Sequence, residues 1–312
     1  MKTRSFSAYV ALLALALPVV SFATAGPVRA ADKPAADTAQ PLPFHSIEGP
    51  GGGAITPTAY LSNPTPGESG AGKPAFAISY VNLDRKSLTA LTASETLYGR
   101  LELSVGADQL ELGTLPANIK AATTVDINRS SVWLLNLNAR YLAVKEAGQV
   151  PAVTVGAHYK YNGDIKHIDE ALGGALTSIG YKDRQGVDFT VTASKLFPKV
   201  GDHPLITTLG LRESKAANLG FLGFGKSYKT SVEGSLIYLP TSNIVVAYEV
   251  RQKTSPYGRI PGLIGGENTW HAVDVSYIVN PHSTIVAGYG RFGTLADKDA
   301  NNAYWFQLKT NL

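Results

Sequence analysis

The feature that most constrains this chain is an alternation of apolar and polar residues that recurs through most of its length. In one such run, Val187, Phe189 and Val191 fall on one face, while Asp188 and Thr190 fall on the other. A period of two residues is the signature of a β-strand with one apolar and one polar side. The runs are about ten residues long, which suits tilted strands that cross a bilayer better than the shorter strands of soluble sheets.

The number of runs predicts the size of the sheet. Eleven can be marked between residues 74 and 312, and at roughly 20 residues per strand and connection this region has room for about twelve strands. Bacterial single-chain barrels have even strand numbers, so a twelfth strand is expected in 54–61 or in 115–128. We predict an all-β fold, a transmembrane antiparallel β-barrel over 74–312. The marked runs are 75–83, 96–105, 131–143, 152–161, 187–194, 204–212, 228–238, 242–251, 271–279, 284–292 and 303–312.

Connection lengths and aromatic residues favour this membrane barrel over a soluble β-sandwich, the alternative fold. The segments 239–243 and 280–283 look like tight turns, whereas 106–130, 162–186 and 252–269 are long. Outer-membrane barrels have short periplasmic turns, long outer loops and girdles of aromatic residues near the strand ends. The predicted girdle residues are Tyr98, Tyr141, Tyr159, Tyr161, Tyr228, Tyr238, Trp270 and Trp305.

The N-terminus has the pattern of a secretory signal peptide. Lys2 and Arg4 precede an apolar run over 9–22, which is too short to span a bilayer, and small residues follow it. Two cleavage positions fit the small-residue rule, one after Ala25 and a preferred one after Ala30. The alternative to a cleaved leader is an N-terminal membrane anchor.

Between this leader (1–30) and the barrel (74–312), residues 31–73 form a Gly/Pro-rich segment without periodicity. Such composition predicts a flexible segment. The Gly-rich stretch 51–53 lacks the spacing of a phosphate-binding loop. We expect a compact turn lying against the barrel or, as the alternative, a plug inside the lumen.

Composition excludes several classes of function. The chain has no cysteine, which removes disulfide scaffolds, thiolate metal sites, cysteine nucleophiles and lipoprotein anchoring. Its formal net charge of +4 falls by three, to +1, when Lys2, Arg4 and Arg29 leave with the leader, so no nucleic-acid partner is expected. Charged residues make up 17%, against roughly 25% in soluble domains, and this favours a surface that contacts outer-membrane lipid.

The polar residues show no pattern typical of catalysis or metal binding. The six histidines lack zinc-binding spacings, and we expect no metal and no cofactor. Lipid-hydrolysing barrels use a Ser and a His together, and His282-Ser283 is an adjacent pair of this kind near the end of a predicted strand. That pair follows Asn280-Pro281 in an apparent turn, so turn chemistry explains it better. We predict no catalytic residue and no enzyme activity.

The last strand carries the most specific signal for location. Tyr304, Phe306, Leu308 and Leu312 share one face of this strand. A strand at the end of the chain leaves an open edge unless it closes onto the first strand. Its pattern resembles the C-terminal signal that barrel-assembly machinery recognises, with Leu312 in place of the usual Phe or Trp. We therefore expect this machinery as a partner and the outer membrane of a Gram-negative bacterium as the location.

Four phrases of the sequence are distinctive: EGPGGGAITPTAYL at 48–61, SKLF at 194–197, ANLGFLGFG at 217–225, and Trp270-His271. Together they resemble a proteobacterial family of exported proteins that is catalogued as a domain of unknown function. Members of that family look like outer-membrane β-barrels. The resemblance implies fold and location, and it implies no activity, substrate or catalytic residue.

The polar faces of the strands carry the functional prediction. If the apolar faces meet lipid, charges of both signs line the interior. Twelve strands enclose a lumen wider than a filled eight-strand barrel and narrower than a porin, which fits a narrow channel for small hydrophilic solutes. The alternatives are a filled structural barrel without a transport role and a soluble extracytoplasmic β-sandwich that binds a ligand. The candidate lumen-lining residues are Arg100, Glu102, Arg140, Asp188, Arg212, Glu233, Glu249 and Arg251.

Overall fold

A single antiparallel sheet of twelve strands closes into a barrel, which confirms the predicted fold and rules out the β-sandwich. The computed structural model describes Leu42, residues 44–65 and residues 70–312. Every strand pairs with its neighbours in sequence, and the last strand closes the sheet by pairing with the first. The strands are β1 (Ala75–Leu83), β2 (Lys86–Leu97), β3 (Leu101–Glu111), β4 (Ser131–Val144), β5 (Ala152–Asn162), β6 (Gln185–Val200), β7 (His203–Ala216), β8 (Phe224–Tyr238), β9 (Ile244–Arg251), β10 (Trp270–Asn280), β11 (Ser283–Arg291) and β12 (Ala303–Asn311).

Two predictions concern residues outside this description. The signal peptide over 1–30, with its cleavage after Ala25 or Ala30, lies entirely outside the described residues. The first part of the predicted flexible segment, residues 31–41, does so as well.

The twelfth strand is β2, which is not among the predicted strands. The run marked at 96–105 crosses a turn at 98–100, where Tyr98 and Gly99 have φ values of 52° and 61°, and so merges the end of β2 with the start of β3. Strand β2 has little contrast between its faces, because its outward Thr89 and inward Thr92 are similar in polarity. Its weak alternation hides a strand that the barrel nevertheless pairs on both sides.

Neither of the two segments proposed for the missing strand forms a barrel strand. Residues 115–128 contain helix α1 (Leu115–Thr123), in a connection that begins after Glu111. Residues 54–61 lie inside the barrel, where nearly all of them are buried. Two further short helices, α2 (Ile165–Ala171) and α3 (Ala175–Ile179), lie in the next long connection.

The outer surface of the barrel is apolar, because the apolar face of each strand points outward. Leu209 and Phe306 leave 64% and 57% of their surface exposed, which a water-soluble protein would avoid over so wide a band. Tyr98, Tyr141 and Tyr228 are exposed near strand ends, as predicted for girdle residues. Other exposed members of this outer surface are Ile78, Tyr80, Leu103, Leu137, Val155, Phe189, Val191, Leu211, Leu236, Tyr248, Val273, Val275, Tyr289 and Leu308.

Two of the girdle predictions are wrong. Trp270 and Trp305 point into the barrel and are only 4% and 3% exposed. Their rings pack against Phe292, with centroid distances of 4.9 Å and 5.6 Å. They belong to an interior apolar cluster, so aromatic position along a strand does not by itself distinguish the two faces.

The two ends of the barrel differ. At one, called the turn end, the connections are short and both termini of the barrel domain lie there. At the other, called the loop end, most connections are long, which confirms their predicted asymmetry. No helix of the described residues is long and apolar enough to cross a membrane. The turn-end connections are 98–100, 145–151, 201–202, 239–243 and 281–282, and the loop-end connections are 84–85, 112–130, 163–184, 217–223, 252–269 and 292–302.

Candidate functional site

The interior of the barrel is occupied by the chain's own residues 44–63, which we call the lumen segment. All of its residues are buried except Tyr60, which is half-buried. Short pairing of Phe44–His45 with Gly51–Gly52 folds it into a compact loop. Composition predicts flexibility for the whole segment 31–73, but residues 44–63 of that segment are packed inside the barrel.

The lumen segment enters and leaves at the turn end. Before it, the carbonyl of Leu42 accepts a hydrogen bond from Lys309 Nζ at 3.1 Å. At its other limit, Asn63 Nδ2 donates to Asn311 Oδ1 at 2.9 Å. Lys309 and Asn311 both belong to the end of β12, so the two ends of the segment lie beside the same strand.

A histidine fastens the first part of the segment to the wall. The two ring nitrogens of His45 lie 2.6 Å from Thr92 Oγ1 and 2.6 Å from Ser94 Oγ. Gln307 Oε1 accepts from the backbone N–H of His45 at 3.0 Å, and its Nε2 donates to the His45 carbonyl at 2.7 Å. The backbone of this buried residue is therefore satisfied by side chains of the wall, as buried polar groups require.

The tip of the segment is held by the carboxylate of Glu249. The backbone N–H groups of Ala54 and Thr56 each donate to it at 2.7 Å, and that of Ile55 does so at 3.2 Å. Successive N–H groups that converge in a turn form a concave anion site. A Cβ on Gly53 would lie 2.1 Å from Glu249 Oε2, so glycine is needed for this close approach.

A bidentate ion pair of the wall holds both arms of the segment. Arg140 donates to the two carboxylate oxygens of Glu102, each at 2.8 Å. The same guanidinium donates to the carbonyls of Thr58 at 2.7 Å and Gly51 at 3.0 Å. Glu102 also accepts from the backbone N–H of Ser62 at 2.7 Å. The planar geometry of arginine allows one side chain to make all of these bonds.

At mid-depth, Glu48 of the segment inserts its carboxylate among three cations of the wall. It bonds to Lys160 on β5 and to Arg251 on β9, and Arg212 on β7 lies 3.9 Å away. The Glu48 carbonyl also accepts from Asn138 Nδ2 at 2.8 Å. Glu48 thus places a carboxylate of the lumen segment among cations from three strands of the wall.

Two wall carboxylates complete this group. Asp188 lies 2.9 Å from Lys160 and 3.3 Å from Arg212, while Glu233 lies 3.1 Å from Arg212 and 3.5 Å from Arg251. Every side chain in the group is at most 4% exposed. Three acids therefore face three bases, a balance that offsets part of the cost of burying charge. We call this group the central ion cluster, and its members are Glu48, Lys160, Asp188, Arg212, Glu233 and Arg251.

The structure brings seven of the eight predicted lumen-lining residues into the interior, each at most 3% exposed. Arg100 is the exception. It lies in the turn between β2 and β3, is half-buried, and donates to the carbonyl of Leu142 at 3.5 Å. The turn interrupts the alternation on which its inward assignment rested. The seven inward residues are Glu102, Arg140, Asp188, Arg212, Glu233, Glu249 and Arg251.

Glu48, the residue that couples the segment to the wall, is absent from the predicted lumen-lining residues. A signal was present, since Glu48 is the one Asp, Glu, Lys or Arg in residues 44–63. A nearly uncharged segment in an exported protein needs burial, and its single carboxylate then needs a cation. Its partners Lys160 and Arg251 cannot be read from spacing.

The long connections close the loop end with an apolar cluster, which we call the loop cap. It joins side chains of α1, α2 and the loops 252–269 and 292–302 to Ile47 and Ile55 at the tip of the lumen segment. A buried ion pair between Lys86 and Asp297, at 2.7 Å, ties the cap to β2. Both mouths of the lumen are therefore occupied by protein.

Charge is also buried within the cap itself. Lys253, which follows β9, lies 3.3 Å from Glu267, and both side chains are less than 10% exposed. Burial lowers the pKa of Lys253, and the negative charge of Glu267 opposes that shift. Glu267 also accepts from the backbone N–H of Asn218 at 3.0 Å, so the pair connects loop 252–269 to the connection 217–223.

The turn that contains His282 does not form a catalytic arrangement. The backbone N–H of His282 donates to Asn280 Oδ1 at 2.8 Å, and its Nδ1 lies 3.1 Å from the Asn311 carbonyl. The first contact is that of a turn between β10 and β11, and the second joins this turn to the end of β12. Within the described residues, no group of three or more His, Asp or Glu side chains could hold a metal ion.

Comparison with known proteins identifies the family. The chain belongs to the family described as "Protein of unknown function (DUF3034)", which matches residues 43–309. No curated protein sequence matches it.

Solved structures with a similar fold include two porins and an outer-membrane channel. A KdgM porin has 10% identity and a TM-score of 0.48 over 76% of this chain and 99% of its own. A NanC porin has 11% identity and a TM-score of 0.45 over 77% and 98%. The COG4313 outer membrane channel from Pseudomonas putida F1 has 13% identity and a TM-score of 0.42 over 83% and 100%.

Proposed function

We propose that this family member is an outer-membrane channel for small hydrophilic solutes, and that the lumen segment plugs it in the resting state. The observation that carries the proposal is how the segment is held. Glu249, Glu102 and Arg140 bind its backbone through hydrogen bonds, and water can replace such bonds when the segment withdraws. The wall left behind is polar and carries charges of both signs.

The position of the segment's two ends supports withdrawal toward the turn end. Leu42 and Asn63 both contact the end of β12, so the loop between them can move out through that mouth as a unit. Short turns mark this end as the periplasmic one. Withdrawal also removes Ile47 and Ile55 from the loop cap, which weakens the closure of the second mouth.

A disulfide that fastens the plug to the wall tests this proposal. The backbone N of Ala59 lies 2.8 Å from Ser194 Oγ, so Ala59→Cys with Ser194→Cys places two thiols in reach of each other in a chain without native cysteine. We expect ion conductance in planar bilayers to be absent when the pair is oxidised and to return on adding a reductant.

The wild-type protein is the control, because a reductant should leave its conductance unchanged. A current that persists with the disulfide formed would contradict plugging by the lumen segment. If the wild-type protein shows no conductance at any applied voltage, the result would instead favour the filled structural barrel. The buried ion cluster also fits that alternative.

The apolar outer surface supports placement in a membrane, and a charge on it provides a second test. Phe306→Arg, at mid-strand on β12, is expected to destabilise the barrel in phosphocholine bilayers by about 2–4 kcal/mol, because the guanidinium would face hydrocarbon. Leu312→Arg, at the strand end, should cost only about 0–1 kcal/mol. Guanidinium titrations of the bilayer-folded protein measure both. Equal costs at the two positions would argue against a lipid-facing β12.

The outward row of β12 is also where we propose that the barrel-assembly machinery recognises this protein. Tyr304, Phe306, Leu308 and Leu312 are each between 47% and 64% exposed on the outer face. Their exposure leaves the row accessible from outside the sheet, which recognition by a separate protein requires.

A further inference from the structure

The loop cap contains a cavity with a volume of about 140 Å³. It lies between helices α1 to α3 and loop 252–269, above the ends of strands β3 and β4. Its walls are almost entirely aliphatic or aromatic. They include Leu112, Ile119, Ile168, Leu176, Phe221 and Ile264.

The three polar side chains in the lining make their bonds to protein groups. Lys86 is paired with Asp297. Thr123 Oγ1 donates to the carbonyl of Ile119 at 2.8 Å, and Asn218 Oδ1 accepts from the backbone N–H of Ala296 at 2.8 Å. A water molecule needs two to four polar partners, and this lining offers few. The cavity therefore favours an apolar occupant over water.

Its size and chemistry resemble those of apolar cavities that bind aromatic rings. An engineered cavity of about 150 Å³, lined by Leu, Ile and Phe, stays dry and binds benzene or xenon. Leaving such a volume empty costs stability. An occupant that fills it would recover the lost contacts between the cavity walls.

The cavity can be reached from outside the barrel. Leu172, Ala175, Ile260 and Leu263 line it and are all partly exposed at the surface of the cap. These four residues lie on α3, the turn before it and loop 252–269, so a molecule from the loop-end side reaches the cavity without crossing the lumen.

A second apolar space continues from the first toward the lumen segment. Its volume is about 30 Å³, and it shares Leu110 and Phe221 with the larger cavity. Ile47 and Ile55 of the lumen segment form part of its wall, together with Trp305. Any occupant of the larger cavity therefore lies one layer of side chains away from the tip of the segment.

We propose that the loop cap is a binding site for a small uncharged apolar molecule about the size of one aromatic ring. The site is separate from the polar lumen, and its occupation does not require the channel to open. The complementary ligand has no charge, because Lys86, the one charged side chain in the lining, is already paired with Asp297.

Titration with fluorobenzene, followed by fluorine NMR on the full barrel in detergent, tests the site. We expect saturable binding to the wild type. Ala175→Phe, which places a ring at the rim of the cavity, should weaken that binding at least tenfold. Ala171→Phe, on the exposed face of α2 and outside the lining, should change the affinity less than twofold. This variant also controls for fluorobenzene that dissolves in the detergent micelle.

Benzenesulfonate is the matched charged ligand and should not bind, since its sulfonate would be buried without a cation. Equal binding of fluorobenzene by Ala175→Phe and wild type would overturn the proposal, as would its absence in the wild type. If Ala175→Phe loses the shift in gel mobility between heated and unheated samples that marks a folded barrel, Ile260→Phe on the opposite wall takes its place. The same tenfold loss is then expected.

Discussion

Glu249→Gln is expected to raise the open probability of the channel at least about 30-fold in planar bilayers. The wild-type carboxylate accepts from the backbone N–H groups of Ala54, Ile55 and Thr56. The amide of glutamine has one acceptor oxygen and presents an NH₂ group to the remaining donors. Losing a hydrogen bond to a charged group costs about 1.5–3 kcal/mol, and about 2 kcal/mol corresponds to this change in the equilibrium between plugged and open states.

Glu213→Gln is the matched control, because Glu213 lies on β7 outside the central ion cluster, where Thr230 Oγ1 donates to it. Its single-channel records should match those of the wild type. Records of Glu249→Gln that also match would show that the tip of the segment is not what holds the channel closed.

Glu48→Ala should expose the lumen segment to solvent at least about a hundredfold more often. Without Glu48, the central ion cluster retains three cations and two carboxylates, so one buried positive charge lacks a partner. Removing one member of a buried ion pair costs about 3–5 kcal/mol. The segment can avoid that cost by leaving the lumen, because water then enters and solvates the cations of the wall.

The chain's lack of native cysteine makes this exposure measurable. With Ala54→Cys as the single thiol, at a position 2% exposed, the rate of reaction with a water-soluble maleimide reports how often the tip leaves the barrel. Adding Lys160→Met to Glu48→Ala restores two bases against two acids and should slow the labelling again. If Glu48→Ala labels no faster than the Ala54→Cys protein alone, charge balance does not retain the segment.

Local pattern was sufficient to predict the barrel and the faces of most strands. In β6, for example, Phe189 and Val191 are half exposed on the outer face while Asp188 is buried inside, as their alternation indicates. This works because a strand places successive side chains on opposite faces whatever its neighbours are. The same rule explains why seven charged residues could be assigned to the lumen from the sequence alone.

The rule fails where the interior is not polar. Near the loop end, the barrel wall packs against the loop cap, so the inward residues Leu88, Trp270 and Trp305 are apolar like the outward ones. This adds to the weak contrast of strand β2, and it is why two tryptophans are misplaced into the outer girdle. Which part of the interior is wet and which is dry depends on where the long connections fold back.

The sequence by itself determined that this chain forms strands with one apolar side and that charges of both signs line what those strands enclose. Only the tertiary structure decided that the enclosed space is occupied by residues 44–63. Glu48 meets Lys160 and Arg251 across separations of 112 and 203 residues. The curvature of the sheet creates that meeting, because the wall residues of the cluster lie on the five consecutive strands β5 to β9, which bend around the Glu48 carboxylate, and no local periodicity carries this information.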